Sequence, residues 1–360
     1  MQQEMSRRGF LAATAGAGLA AAAGAQAGAN RPGSEIQPTG NTVNRSANTM
    51  KIGLYSITYL GVWYRGKAIE LKEFMRLAKA DGWEGVEFDT KRPHAAPMDL
   101  SADDRKELRD LAGELELPIS AVSPNCDLSS PVPEQREAMV CYVRECIKLT
   151  RDLGSPICKI FAAWPGVALR DGLADYRYTR NIPDPFPDWS GQRRGFVRDS
   201  LKELAKFAQD LGVALALQNH TPVTCDYRDV LAFIKEVDNP ALKACMDIPC
   251  EGDNAGSAEW ARKVVRETGP LMVHSHYNGE FQMSADGQIE LAGTRKVAYA
   301  EFVDALVKSG YEGFMDWEFC HPAMENGERT GIEYVHKQTR LALEFMKQLR
   351  DKAKEQAPKR

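Results

Sequence analysis

The sequence predicts an α/β fold: a single (β/α)8 TIM barrel closed from one parallel sheet. Eight times between Lys51 and Lys352 a short apolar run is followed by a longer amphipathic stretch, and no strand-only or helix-only block intervenes. No Gly-rich phosphate fingerprint follows an early strand, which disfavours the alternative, an open doubly wound sheet. The barrel also suits the length, since such domains take roughly 250 residues and 360 leaves room for long loops.

The strands are expected at 51–58, 84–89, 117–122, 156–162, 213–218, 242–247, 271–276 and 313–318. The helices are expected at 68–81, 102–115, 134–153, 195–211, 226–237, 256–268, 298–309 and 331–352. Gly82, Gly154, Gly212 and Gly310 stand where helices should end, because glycine readily enters the left-handed conformation of a C-terminal cap. Ser101 and Asp226 precede helical runs as N-caps. Two connections exceed simple linkers. Residues 163–194 carry Trp164, Tyr176, Tyr178, Phe186 and Trp189, and residues 277–297 carry Tyr277, Asn278, Glu280 and Arg295. Both leave strand C-termini, the face where barrel enzymes place their sites.

Outside the barrel the sequence changes character. Ser6-Arg7-Arg8-Gly9-Phe10-Leu11 precedes an Ala/Gly run and two small-residue cleavage sites, Ala25-Gln26-Ala27 and Ala27-Gly28-Ala29. That order predicts a twin-arginine-type signal peptide over residues 1–29, hence a periplasmic or otherwise exported protein. The run is too short for a stable membrane anchor. Residues 30–49 read as a polar linker, 50–352 as the barrel and 353–360 as a charged tail.

With 43% hydrophobic and 27% charged residues, a disordered or fibrous chain is excluded. A net charge of −4 without a Lys/Arg stripe argues against nucleic acid or an anionic membrane as partner. A small-molecule partner is expected, and a homo-oligomer is compatible with it. None of the eight cysteines forms a C-x-x-C pair, which excludes zinc-ribbon and thioredoxin-type chemistry.

Polar residues inside barrel strands are the informative ones, because those strands are otherwise buried. Side chains at i and i+2 share a face. Glu87 therefore aligns with Asp89, Gln218 with His220, His274 with His276, and Asp316 with Glu318; Asp247 ends the sixth strand and Lys159 is the one charge in the fourth. Closure of the barrel gathers these ends, with His321, at one mouth. Glu87, Lys159 and Asp316 can equally form a structural ion-pair network in the interior. Carboxylate, imidazole and amide oxygen together suit one divalent cation such as Mn2+, Mg2+ or Co2+, and Cys250 near Asp247 keeps Zn2+ open.

Gly85-Val86-Glu87, Leu217-Gln218-Asn219-His220, Met246-Asp247, His274-Ser275-His276 and Gly310-Tyr311-Glu312-Gly313 leading to Trp317-Glu318 come in an order that resembles the sugar phosphate isomerase/epimerase superfamily, the xylose isomerase-like barrels. The resemblance implies a metal site at Gln218, Asp247, His276 and Glu318, with Gln218 where the family has a glutamate. It implies catalysis through an enediolate on a free sugar or keto-sugar, with Glu318 and His220 as proton-transfer groups. Glu87, His94, Lys159, Trp164, His274 and Tyr277 are expected to bind substrate. Because an amide cannot accept and return a proton, Gln218 leaves open elimination of a β-substituent, as in related lyases, or a carbohydrate-binding pseudoenzyme. An apurinic-site endonuclease would need more His and Glu ligands than the chain offers and fits poorly with its acidity.

Overall fold

The structure is a computed structural model that describes residues 50–176 and 187–356. Eight parallel strands close into a barrel: β1 (Lys51–Tyr55), β2 (Gly85–Asp89), β3 (Ile119–Ser123), β4 (Ile157–Ile160), β5 (Ala214–Gln218), β6 (Leu242–Asp247), β7 (Met272–Asn278) and β8 (Phe314–Glu318). The helices that follow them are α1 (Leu71–Asp81), α2 (Ala102–Glu114), α3 (Pro133–Asp152), α4 (Arg193–Asp210), α5 (Tyr227–Val237), α6 (Ala258–Thr268), α7 (Tyr299–Ser309) and α8 (Ile332–Gln356).

Local chemistry explains the element ends. Ser101 caps α2 in a capping box with Asp104, and the Asp226 carboxylate accepts from the Arg228 amide at the start of α5. Gly82 closes α1 at φ +88° and Gly310 closes α7 at φ +78°, where a side chain would strain the backbone. Gly53 is needed for another reason. A Cβ there would collide with Asp316 Oδ1, so its missing side chain makes the space that Asp316 occupies inside the barrel.

Element boundaries shift by a few residues from the sequence-based expectation, and three of the shifts bear on the site or the core. The first strand stops at Tyr55 and turns into a 3-10 segment over Ser56–Tyr59, held by the Asp89 amide donating to Ser56 Oγ and the Trp63 indole donating to the Ile57 carbonyl. β7 continues through Asn278, which puts Tyr277 inside a strand rather than in a loop. The last helix continues to Gln356, so the tail does not start at 353. Arg350 explains this, its buried guanidinium donating to the Met50 carbonyl and to Glu84 at 3.1 and 2.6 Å, with Ala353 buried beyond it. Local charge in the sequence concealed that docking.

The long connections after β4 and β7 carry small hairpins, Ala168–Arg170 with Leu173–Asp175 and Phe281–Met283 with Ile289–Leu291; a third, Met324–Glu325 with Glu328–Arg329, follows β8. Residues 1–49, where a signal peptide and linker are expected, and Tyr178, Phe186 and residues 357–360 lie outside the described residues. Among the described residues no helix is long and apolar enough to cross a membrane, and all eight cysteines are free thiols.

Candidate active site

Strand alternation and register sort the barrel's polar side chains into two layers. In the deeper one, Glu87 is the hub. Its Oε2 accepts from His274 Nε2 at 3.0 Å and from His276 Nε2 at 2.6 Å, and its Oε1 accepts from Ser123 Oγ and lies 3.7 Å from Lys159 Nζ. His274 Nε2 is also 3.4 Å from Asp316 Oδ2, which accepts from Ser120 Oγ. Burial opposes ionisation of Glu87, but His276 and Lys159 overcome it and hold the carboxyl well below its usual range. Asp316 goes the other way, raised well above its usual value by burial and by the Glu87 charge. Lys159 completes the layer as a fully buried ammonium over the Tyr55 and Phe161 rings, 4.9 and 4.3 Å from their centroids.

One step nearer the mouth lies the second layer. Asp247 and His276 are register partners, and His276 in turn pairs with Asp316 of β8, two residues before Glu318. Gln218 Nε2 donates to Asp247 Oδ2 at 3.4 Å, and His276 Nδ1 lies 3.6 Å from Glu318 Oε2. Gln218 Oε1, Asp247 Oδ1 and His276 Nδ1 are buried without a hydrogen-bond partner among the described residues. Buried polar atoms are ordinarily paired, and although Lys159 Nζ, His274 Nδ1 and Asp316 Oδ1 of the deeper layer also lack partners, those at the mouth lie beside the pocket and call for a physical cause. The electrostatics agree: burial and then the Glu318 charge push Asp247 up to about 6. His276 is pushed up to about 10, since the Glu87 carboxylate outweighs the opposing effect of burial. Acceptor-rich surroundings thus draw a positive charge to that point.

An amide oxygen, two carboxylates and an imidazole nitrogen form a donor set suited to a divalent cation. Glu87 would support it, because its bond to Nε2 fixes the ring and leaves Nδ1 for the ion. Among the described residues the group of His, Cys, Asp and Glu side chains whose ligand atoms all lie within 4.8 Å of one another is a different one, Glu87 with His274 and His276. There, both Nε2 atoms already donate to Glu87, and an ion would have to break those bonds. The mouth set fits better because it uses atoms with no other partner.

Above Gln218 and Glu318 opens a pocket walled by Trp63, Trp164, Tyr176, Phe161 and His220. Trp63 stacks on Tyr176 with centroids 5.8 Å apart, and Trp164 packs on the His220 ring at 4.4 Å. His220 Nδ1 lies 2.8 Å from the Thr221 carbonyl, to which it donates, so the lone pair falls on Nε2. Burial lowers the His220 pKa and keeps the ring neutral.

Of the residues expected from sequence, Gln218, Glu318, His220 and Trp164 line the pocket, with Asp247 and His276 buried alongside. Glu87, Lys159 and His274 lie in the layer beneath rather than on the pocket wall. Two expected substrate contacts are elsewhere. His94 Nε2 pairs with the Ile69 carbonyl at 3.0 Å, and Tyr277, one position out of phase with His276, faces outward and donates to the Ala342 carbonyl at 3.1 Å. His321 also leaves the cluster and sits 3.3 Å from Glu280. Sequence reasoning missed Tyr55, Trp63, Lys91, Asn125 and Cys320 on the pocket wall. Tyr55 was within reach, since it ends β1 on the same face as Gly53; Trp63 lies in a loop with no periodicity to read.

A closed parallel barrel with its polar donors at the strand C-termini defines the class of (β/α)8 proteins that house a small-molecule site at that mouth. Residues 75–349 match the xylose isomerase-like TIM barrel family, and the chain belongs to that family. Among characterised relatives, fructoselysine 3-epimerase of Shigella flexneri is 23% identical over 277 residues, 74% of this chain and 88% of that one. A D-psicose 3-epimerase structure determined in the presence of D-fructose superposes with a TM-score of 0.62 at 18% identity, covering 84% of this chain and 99% of that one. An L-ribulose 3-epimerase superposes with a TM-score of 0.62 at 17% identity, over 85% and 96%.

Proposed function

We propose that the protein is an exported, cation-dependent sugar epimerase acting on a free sugar or keto-sugar. The observation that carries the reading is the set of unpaired donors at the floor of an aromatic pocket. Similarity to 3-epimerases supports it. Gln218, Asp247, His276 and Glu318 would hold the ion. Bound there, a divalent cation supplies Lewis-acid polarisation of the substrate carbonyl and its neighbouring hydroxyl.

The chain's own residues do the rest. Trp164, Trp63 and Tyr176 offer flat faces to the C–H surfaces of a sugar ring. Glu318 takes the proton from the carbon next to the carbonyl, leaving an enediolate. Beside the cation Glu318 would be ionised, so it enters the reaction as a base. Gln218 cannot replace the second glutamate in proton transfer, and His220, with its free Nε2, takes that role. Neutral at rest, His220 takes up a proton from solvent at Nε2 and delivers it to the opposite face of the carbon, which inverts the centre, and Glu318 then releases its proton to solvent.

Gln218 also favours a second reading, elimination with Glu318 as sole base. The deciding experiment incubates metal-reconstituted protein in D2O with a panel of ketohexoses and keto-glycosides and follows them by NMR. Inversion with one deuterium at the carbon next to the carbonyl is expected. Loss of a β-substituent would replace epimerase by lyase, and saturable binding without exchange by a pseudoenzyme. Export is tested by fusing residues 1–49 to a folded reporter, which should leave the cytoplasm unless Arg7 and Arg8 are both changed to Lys.

A further inference from the structure

We propose that Lys91 and Asn125 form a subsite for the hydroxyls of the sugar remote from its carbonyl. Because Lys91 is paired with Asp89, this subsite selects a neutral sugar over one that carries a carboxylate or phosphate at that end. The inference rests on the sugar-binding reading above and concerns which sugar the pocket takes.

Ring topology sets the geometry. The four donors argued to hold the cation come from β5, β6, β7 and β8. In a closed ring of eight strands, β2 and β3 stand across the mouth from β6 and β7. Lys91 follows the end of β2 and Asn125 the end of β3, and both line the pocket that Gln218 and Glu318 also line. Trp63 and Trp164 belong to the same wall and present apolar faces. A sugar whose carbonyl end meets Gln218 and Glu318 extends its other end across the mouth, to Lys91 and Asn125.

Lys91 is held in place before any ligand arrives. Its backbone amide donates to Asp89 Oδ1 and its Nζ to Asp89 Oδ2, each at 2.7 Å, and the Tyr55 hydroxyl donates to the same Oδ2 at 2.8 Å. Asp89 is fully buried, while 31% of the Lys91 side chain is exposed. A fixed ammonium loses little rotamer freedom on binding. It has three N–H bonds, of which one goes to Asp89 and two remain for ligand oxygens. Charge then decides the class of ligand. The Asp89 carboxylate balances the ammonium, so the subsite donates hydrogen bonds without a net positive charge. A ligand carboxylate or phosphate there would meet the Asp89 charge at close range, whereas a hydroxyl accepts from Lys91 and Asn125 without that repulsion.

The test uses Co2+-reconstituted protein and three ketoses: D-fructose, D-fructuronate with a carboxylate in place of the last CH2OH, and erythrulose, whose four carbons stop short of the subsite. Titration calorimetry reads binding, and NMR in D2O reads deuterium entry next to the carbonyl. Wild type should bind D-fructose at least about tenfold more tightly than either of the others. Lys91→Met keeps an apolar stem and removes the donor; it should weaken D-fructose roughly tenfold and leave erythrulose unchanged. Asp89→Asn keeps an acceptor for Lys91 and removes the balancing charge, which should turn the preference toward D-fructuronate. Equal weakening of D-fructose and erythrulose in Lys91→Met would make Lys91 a scaffold residue and overturn the subsite. Wild type binding D-fructuronate as tightly as D-fructose, or a folded Asp89→Asn with unchanged preference, would overturn the selection by charge. The expected binding ratios without deuterium entry overturn the epimerase reading alone, and no binding of any of the three sugars overturns both.

Discussion

The two polar layers of this barrel are built from the same residue types and differ in what they face: one is closed around Glu87 and the other adjoins the pocket. In the deep layer Glu87 meets its complement in two imidazoles, a hydroxyl and a nearby ammonium, while Lys159 Nζ, His274 Nδ1 and Asp316 Oδ1 around it have no hydrogen-bond partner. At the mouth Gln218 Oε1, Asp247 Oδ1 and His276 Nδ1 likewise have no hydrogen-bond partner, and there they lie beside the pocket. A network centred on one well-bonded carboxylate gives shape; unpaired acceptors beside a pocket give a place for a cation. His276 belongs to both layers, one ring nitrogen in each, and couples the scaffold to the site.

The largest effect that sharpens this contrast is expected from Glu318→Gln. Deuterium exchange at the carbon next to the carbonyl should fall by roughly 10² to 10⁴, the usual contribution of a general base, while the melting temperature is unchanged. An equal loss of stability would mean that Glu318 is scaffold. Next comes Glu87→Gln. With the carboxylate gone the His276 ring is no longer fixed, and cation affinity should drop about 10- to 100-fold by titration calorimetry although Glu87 is no ligand. Retained affinity would break the coupling between layers.

Gly53→Ala probes the deep layer alone. Its Cβ would meet the Asp316 carboxylate, and overpacking should lower unfolding stability by about 1 to 3 kcal/mol in denaturant titrations without altering cation stoichiometry. The smallest expected effect is at the pocket wall, where Trp164→Ala should raise KM about tenfold with kcat nearly unchanged, the mark of lost binding area.

Much of this was legible because a barrel repeats its own grammar. Alternation of period two placed Glu87, His274, His276 and Asp316 inside, and closure of the sheet brought Gln218, Asp247 and Glu318 to one end. Period alone could not say which inward residues stop at the interior and which reach the pocket, because that depends on height along the barrel axis. Lys159 and Glu87 look as functional in sequence as Gln218 does. His94 was misplaced for another reason: its neighbours Ile69 and Phe74 come from a different strand–helix unit, and no local pattern reports that packing. Tyr277 was misplaced because β7 outlasts its apolar run by two residues.

The central claim is that the cation belongs to the mouth layer, and metal content tests it most directly. Elemental analysis after reconstitution should find about one equivalent per chain in wild type and in His274→Asn, and none in Asp247→Ala. Metal retained in Asp247→Ala and lost from His274→Asn would move the ion to the Glu87 layer and contradict the account.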